Sequence, residues 1–277
     1  MQLWQLLILA VVQGLAELLP ISSSAHVIVA EKLLGLDPTA PQMTLLLVML
    51  HTGTMFAVLV YFWKAWRATY FSSRAAFIAS ARSVVIATVA TALVGLALLE
   101  IIKHLFAAGA SDFEIENLFG NARLMASALA AAGLLIIGSS RARPASTETV
   151  SAAAAGWIGA VQGVCLPFRG FSRSGATIST GMLLGIARRR AEEFSFALAV
   201  VLTPAVIARE VLRLHKAHAH SGAGLTHGFG PALIGMVLSF AAGMVALRWL
   251  SRWLEQGRWY LFGAYCLVAA AVVFWLG

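Results

Sequence analysis

The chain is short of charge. Only 12% of its 277 residues are Asp, Glu, Lys or Arg, while 60% are hydrophobic. A soluble domain carries about 25% charged residues. The deficit excludes an ordinary soluble core and points to a polytopic membrane protein. Cysteine is scarce as well. Cys165 and Cys266 both lie in apolar runs, far apart, so they exclude a disulfide framework and a cysteine metal site and read as inert packing residues. No Lys or Arg precedes Lys32, which leaves a cleavable signal peptide without its basic n-region. Acids are fewer than bases, giving a formal net charge of +8. The bases fall between apolar segments, so anionic lipid headgroups explain them better than nucleic acid does.

What the chain does have is long apolar runs. A helix needs about 20 apolar residues to cross a bilayer. The runs at 44–63, 83–102, 124–138, 194–208, 231–247 and 260–276 therefore predict about six spans. Between them, Lys64–Arg82 reads as a basic cytoplasmic loop holding Lys64, Arg67, Arg74 and Arg82. Lys103–Arg123, with Asp112, Glu114 and Glu116, reads as its non-cytoplasmic counterpart. Residues 188–193 read as a short charged turn, and 209–230 as a basic, His-rich and Gly-rich loop.

Two further apolar segments are broken, 3–35 at Pro20–Ser24 and 151–187 at Pro167–Ser174. They resemble each other. VQG recurs from Val12 to Val161 at an offset of 149 residues, Ser23 matches Ser172 at the same offset, and Leu-Gly follows at 34–35 and 184–185. Matched discontinuous hydrophobic segments, one per half, are the sign of an internal repeat with a central membrane site. The halves are about 1–138 and about 151–277, joined by a polar linker at 139–150 within one membrane domain.

The breaks carry the chemistry. Gln13 and Glu17 stand four apart, on one helix face. A carboxylate in hydrocarbon is costly unless it is paired or faces a wet cavity. Pro20 biases Leu19 away from helix, so a first half-helix should end near Leu18. A second should begin at Ser22–Ser24 with a serine cap, its free N–H groups and dipole suited to a phosphate. His26 follows within a turn. In the second copy Ser172, Arg173, Ser174 and Thr177 occupy the break, flanked by Gly170 and Gly175. Arginine offers a fork of donors that fits phosphate oxygens. Glu17 can serve Arg173 as a purely structural ion partner, or the two can flank one phosphorylated ligand. Arg169 adds a cation that can equally snorkel to the interface. His51, beside Thr52 and Gly53 in a long span, is a candidate to face the same cavity. The trio His215, His218 and His220 reads as part of a solvated loop rather than a metal cluster. A nucleophile (Ser23 or His26), an acid or base, helix N-termini and an arginine clamp make up the inventory of phosphoryl transfer.

QGLAELLPISSSAH with PFRGFSRSGATISTGMLLG resembles the undecaprenyl-diphosphate phosphatase family, also called BacA or UppP. The resemblance extends over nearly the whole chain in length and segment layout, and its two motifs are highly specific. It implies an all-α polytopic bundle with inverted internal repeats and two re-entrant broken-helix pairs. It implies hydrolysis of a C55 isoprenoid diphosphate to the monophosphate at the outer face of a bacterial inner membrane, and bacitracin resistance. The implied catalytic set is Glu17, Ser23, His26 and Arg173. Ser23 is the first choice of nucleophile, and His26 is base, leaving-group acid or alternative nucleophile. Gln13, Ser22, Ser24, Gly170, Ser172, Ser174 and Thr177 would bind substrate, and Glu17 with Gln13 would hold Mg²⁺ or Ca²⁺. Partners expected are the polyprenyl diphosphate and membrane lipids, with no nucleic acid; a homodimer is compatible. The chain departs from the family pattern at three places: Gln13 stands where many members have Glu, Phe168-Arg169 separates Pro167 from Gly170, and Ala25 precedes His26 where Gly is common. The alternative reading is a flippase that uses the same anion site to move a polyprenyl phosphate without hydrolysis. An inactive structural relative is a third.

Overall fold

The computed structural model describes residues 2–36, 41–106, 121–142, 147–221 and 226–276. It is all-helical. The described residues form ten helices: α1 (Leu3–Leu18), α2 (Ser23–Leu33), α3 (Pro41–Thr69), α4 (Arg74–Phe106), α5 (Ala122–Ser140), α6 (Ala152–Val164), α7 (Arg173–Leu183), α8 (Arg188–Ser221), α9 (Thr226–Glu255) and α10 (Tyr260–Leu276). The one departure among them is an isolated bridge between Thr147 and Ile186.

Four helices are long and apolar enough to cross a bilayer, over Met43–Thr69, Arg74–Leu105, Ala122–Ser140 and Phe229–Glu255. Helix α4 exposes Val85, Val89, Leu93 and Leu96 at helical spacing, each more than half exposed. A stripe of that kind has lipid, not water, as its natural neighbour.

Several helices outrun the apolar runs that announced them. The stretch 64–82 is not a loop: α3 continues to Thr69 and α4 begins at Arg74, leaving a turn at 70–73. Residues 188–193 are the first turns of α8, not a turn. That helix also runs through most of 209–230, to Ser221, with the backbone of His215, His218 and His220 inside it. Hydropathy marks where hydrocarbon ends, whereas Lys, Arg, Glu and Ala are good helix formers and carry the helix past that limit. Asp112, Glu114 and Glu116 lie outside the described residues.

The broken segments form as their prolines dictate. Helix α1 stops at Leu18, and Leu19, ahead of Pro20, is extended at φ −73, ψ 152. Helix α6 stops at Val164, and α7 starts at Arg173 with Ser172 as N-cap. The short helices α2 and α7 each have 11 residues and close alike. Leu36 N bonds Glu31 O and Gly35 N bonds Lys32 O; Ile186 N bonds Gly181 O and Gly185 N bonds Met182 O. Gly35 (φ +64) and Gly185 (φ +81) occupy the left-handed position such a closure needs.

The chain sorts into two compact units, each drawing on both halves of the sequence. The first is Met1–Leu19, Ser23–Lys64 and Ala199–Leu250. Its core joins Leu6, Leu9 and Ala10 of α1 to Met43, Leu46 and Leu50 of α3, with Leu238 of α9 against them. Here α1 crosses α9 with almost no gap: a Cβ on Gly14 would lie 2.6 Å from Ala242 Cβ and 2.7 Å from Ser239 O. The second unit is Pro20–Ser22, Ala65–Leu198 and Ser251–Gly277. Its core holds Leu129 and Ile136 of α5, Ile158 of α6, Ile178 of α7, Phe194 and Phe196 of α8, and Trp259. In it α6 crosses α4 just as closely: a Cβ on Gly163 would lie 2.8 Å from Thr91 O and 3.0 Å from Gly95 N.

Candidate active site

In the first unit the polar residues of the first break converge on one oxygen. Gln13 and Glu17 share a face of α1, and Gln13 Nε2 lies 3.3 Å from Glu17 Oε2. Ser23, the first residue of α2, donates its hydroxyl to the same Oε2 at 2.6 Å. From α3, His51 Nε2 stands 3.7 Å from it. Gln13 is 1% exposed, and the Glu17 side chain 17%. A hydroxyl already bonded to a partly desolvated carboxylate is an activated-nucleophile arrangement. Ser24 and His26 occupy the first turn of α2, both half-buried.

The second unit holds the second break together with the turn Pro20–Ser22. Ser22 is buried and takes φ +68, a left-handed conformation that is costly for a residue with a side chain. Two contacts hold this turn. Cys266 Sγ donates to Pro20 O at 3.3 Å, and a Cβ on Gly175 would lie 3.2 Å from Pro20 Cβ. Ser172 caps α7 by accepting from Gly175 N at 3.2 Å. Gly170 is required by its backbone, since φ is +106 and a Cβ there would meet Met125 O at 2.4 Å. Arg173, half-buried, is the first residue of α7. Ser174 is 3% exposed and Thr177 is fully buried. Thr177 donates to Arg173 O at 2.8 Å, and its oxygen meets Ser195 Oγ at 2.6 Å. Its hydroxyl therefore braces the first turn of α7, and Gly170 shapes the turn before it. Arg169 is exposed.

The two breaks are alike in backbone and unlike in chemistry. The positions 149 residues beyond Gln13, Glu17 and Ser23 are Gln162, Leu166 and Ser172. Gln162 is spent on packing, its Nε2 donating to Thr91 Oγ1 at 3.0 Å. The acid and the hydroxyl it accepts from belong to the first break, the arginine to the second.

Sequence reasoning named His51 as a candidate without seeing its contact, and missed Ser195, which stands in no motif. The expected divalent-ion site can be judged by its donors. Among the described residues no three His, Cys, Asp or Glu side chains gather around one point. One carboxylate, an amide and a hydroxyl fit a hard cation when ligand phosphate oxygens and water complete its shell, the usual arrangement for Mg²⁺.

Comparison with known proteins places these residues in a lineage. Residues 6–272 match the profile of the family described as "Bacitracin resistance protein BacA". An undecaprenyl-diphosphatase 2 of Acinetobacter baylyi is 62% identical over 99% of this chain and 97% of its own length. An undecaprenyl-diphosphatase 2 of Burkholderia orbicola is 36% identical over 100% of this chain and 97% of its own, and an undecaprenyl-diphosphatase of Desulfosudis oleivorans 32% over 98% and 97%.

Proposed function

The chain belongs to the BacA bacitracin-resistance family, and from that premise we propose that it hydrolyses undecaprenyl diphosphate to the monophosphate and inorganic phosphate. The observation that carries this reading is the 2.6 Å bond from Ser23 Oγ to Glu17 Oε2. Moving a lipid phosphate needs an anion site but no hydroxyl paired with a base.

In this mechanism Ser23 Oγ attacks the terminal phosphorus while its proton passes to Glu17 Oε2. The P–O bond to the lipid phosphate breaks and undecaprenyl monophosphate leaves with the bonding pair, His26 supplying or holding a proton at the leaving oxygen. Water then attacks phosphoserine, its own protons staying with the inorganic phosphate that forms, and Ser23 Oγ takes back from Glu17 the proton it gave as the P–O bond to it breaks. Arg173 and the N–H groups opening α7 neutralise the phosphate oxygens, with Ser22, Ser24, Ser172 and Ser174 around them. Thr177 and Gly170 act from behind, by holding the first turn of α7 and the turn before it. That both breaks serve one substrate is part of this proposal, and the matched motifs at the two breaks support it. Glu17 with Gln13 would hold Mg²⁺ or Ca²⁺, whose charge would further offset that of the diphosphate.

The reading extends to the architecture. The protein is a multi-pass membrane protein, and we take its two halves as inverted repeats whose broken helices are re-entrant. Three likenesses support this: the matched closures of α2 and α7, the matched breaks, and the reciprocal crossings of α1 on α9 and α6 on α4. The basic residues Lys64, Arg67, Arg74 and Arg82 support a cytoplasmic turn between α3 and α4, and in this reading the active site opens to the periplasmic side of a bacterial inner membrane. Recycling the lipid carrier there supports cell-wall synthesis and gives bacitracin resistance.

The test is phosphate release by the purified protein from C55 diphosphate, with and without Mg²⁺ or Ca²⁺. Release that is lost in Glu17→Gln supports the proposal. Absence of release, with lipid phosphate crossing liposome bilayers, establishes the flippase instead.

A further inference from the structure

Glu17 Oε2 meets three polar groups, and the mechanism above leaves one of them, His51, unused. His51 sits one turn beyond Leu47 on α3, its Nδ1 2.8 Å from Leu47 O. A carbonyl oxygen only accepts, so Nδ1 carries the hydrogen. That bond fixes the ring's rotation and turns Nε2 toward Glu17 Oε2 at 3.7 Å. The backbone beneath is clamped on both sides by α9. Ser239 Oγ donates to Leu50 O at 3.0 Å, and Gly53 is so close that a Cβ there would lie 2.3 Å from Met236 O. So firm a mount for one polar ring in an apolar helix is a support that preorganises a site. The other described ionisable side chains of this unit are Glu17, His26, Glu31, Lys32, Tyr61, Lys64 and Arg248, and Glu17 is the one His51 is held against.

We propose that His51 is the positioning residue of Glu17 and the store for the proton that Glu17 takes from Ser23. The proposal rests on the Ser23–Glu17 reading above. With Nδ1–H committed to Leu47, the Nε2 lone pair faces the carboxylate at 3.7 Å. When the Ser23 O–H bond breaks, its electron pair goes to the new P–O bond and its proton to Oε2. From there the proton moves to Nε2, giving imidazolium and restoring the carboxylate. The proton returns by the same path when Ser23 leaves phosphorus. The Oε2–Nε2 gap closes on substrate binding, as unliganded catalytic contacts commonly do.

The experiment measures kcat and KM for phosphate release from C55 diphosphate by the purified full-length protein. It compares the parent with His51→Gln, His51→Asn, Glu17→Gln and the double variant Glu17→Gln/His51→Gln. Asn keeps a donor for Leu47 O and Gln places an amide toward Glu17, but neither takes up a proton. Each should lower kcat about 10- to 100-fold and change KM less than about threefold, the pattern of a group that acts in the transition state. Glu17→Gln should fall further, and adding His51→Gln to it should cost nothing more. Parent-like kcat in either His51 variant, with Glu17→Gln inactive, overturns this inference alone. Parent-like kcat in Glu17→Gln overturns the reading beneath it.

Discussion

Glu192 offers a test of the packing that leaves the chemistry untouched. It opens the second turn of α8, ahead of the apolar run at 194–208, and is 2% exposed. Ser251 of α9 donates a short hydrogen bond to its Oε1. The adjacent Glu193 takes the cations, Arg190 at 2.7 Å and Arg189 at 3.1 Å. Burial therefore pushes the Glu192 carboxyl from its ordinary 4.5 up to about 8, helped by the charges of Glu255 and Glu193 against the Ser251 bond and Arg189. The native state keeps this proton between those two values while the unfolded chain loses it. The folded form thus binds more protons, and stability falls as pH rises from 4.5 towards 8, then levels off. At about 1.4 kcal/mol per unit the full window is worth about 5 kcal/mol, an order-of-magnitude figure. Glu192→Gln keeps the shape and the acceptor for Ser251 but has no proton to lose. In detergent, variant and parent should unfold at similar temperatures near pH 5. The variant should pull ahead as pH rises, by on the order of 10 °C at pH 8.5. A difference that stays constant with pH, or that grows in the parent's favour, refutes the argument.

Other substitutions probe the site and the crossings. Arg173→Ala should lower kcat/KM about 100-fold or more, from the loss of charge-assisted bonds worth about 1.5–3 kcal/mol each, and Arg173→Lys should recover little because a point charge lacks the fork. Steady-state phosphate release reads both. Gly163→Ala forces a methyl against backbone of α4 that cannot yield and should cost about 1–3 kcal/mol, seen as a lowered Tm. Gly138→Ala, inside α5 with nothing within 4 Å of the added carbon, should hold or slightly raise Tm, since alanine is the better helix former.

What the sequence made legible was local. Pro20 ended α1 at Leu18, the serine cluster opened the next helix at Ser23, and the apolar runs located the long helices, because each signal acts within a turn or two of itself. Helix ends were misplaced at 64–82, 188–193 and 209–230 because charge marks the edge of hydrocarbon, not the edge of a helix. Tertiary facts stayed hidden. The left-handed φ of Ser22, a conformation that sequence reserves for glycine, is held by packing against α7 and Cys266. The contact of Thr177 with Ser195, 18 residues away, is announced by no motif. Glu17 and His51 are 34 residues apart, and no local pattern pairs them.

The central claim is that Ser23, activated by Glu17, takes the phosphoryl group. It is tested most directly by mixing the purified protein with C55 diphosphate radiolabelled at its terminal phosphate, quenching with SDS at neutral pH within one turnover, and mapping the label. The account predicts acid-stable phosphoserine at Ser23, absent from Ser23→Ala, which should also release no phosphate above background. Turnover by Ser23→Ala at the parent rate, or label found on His26, contradicts it.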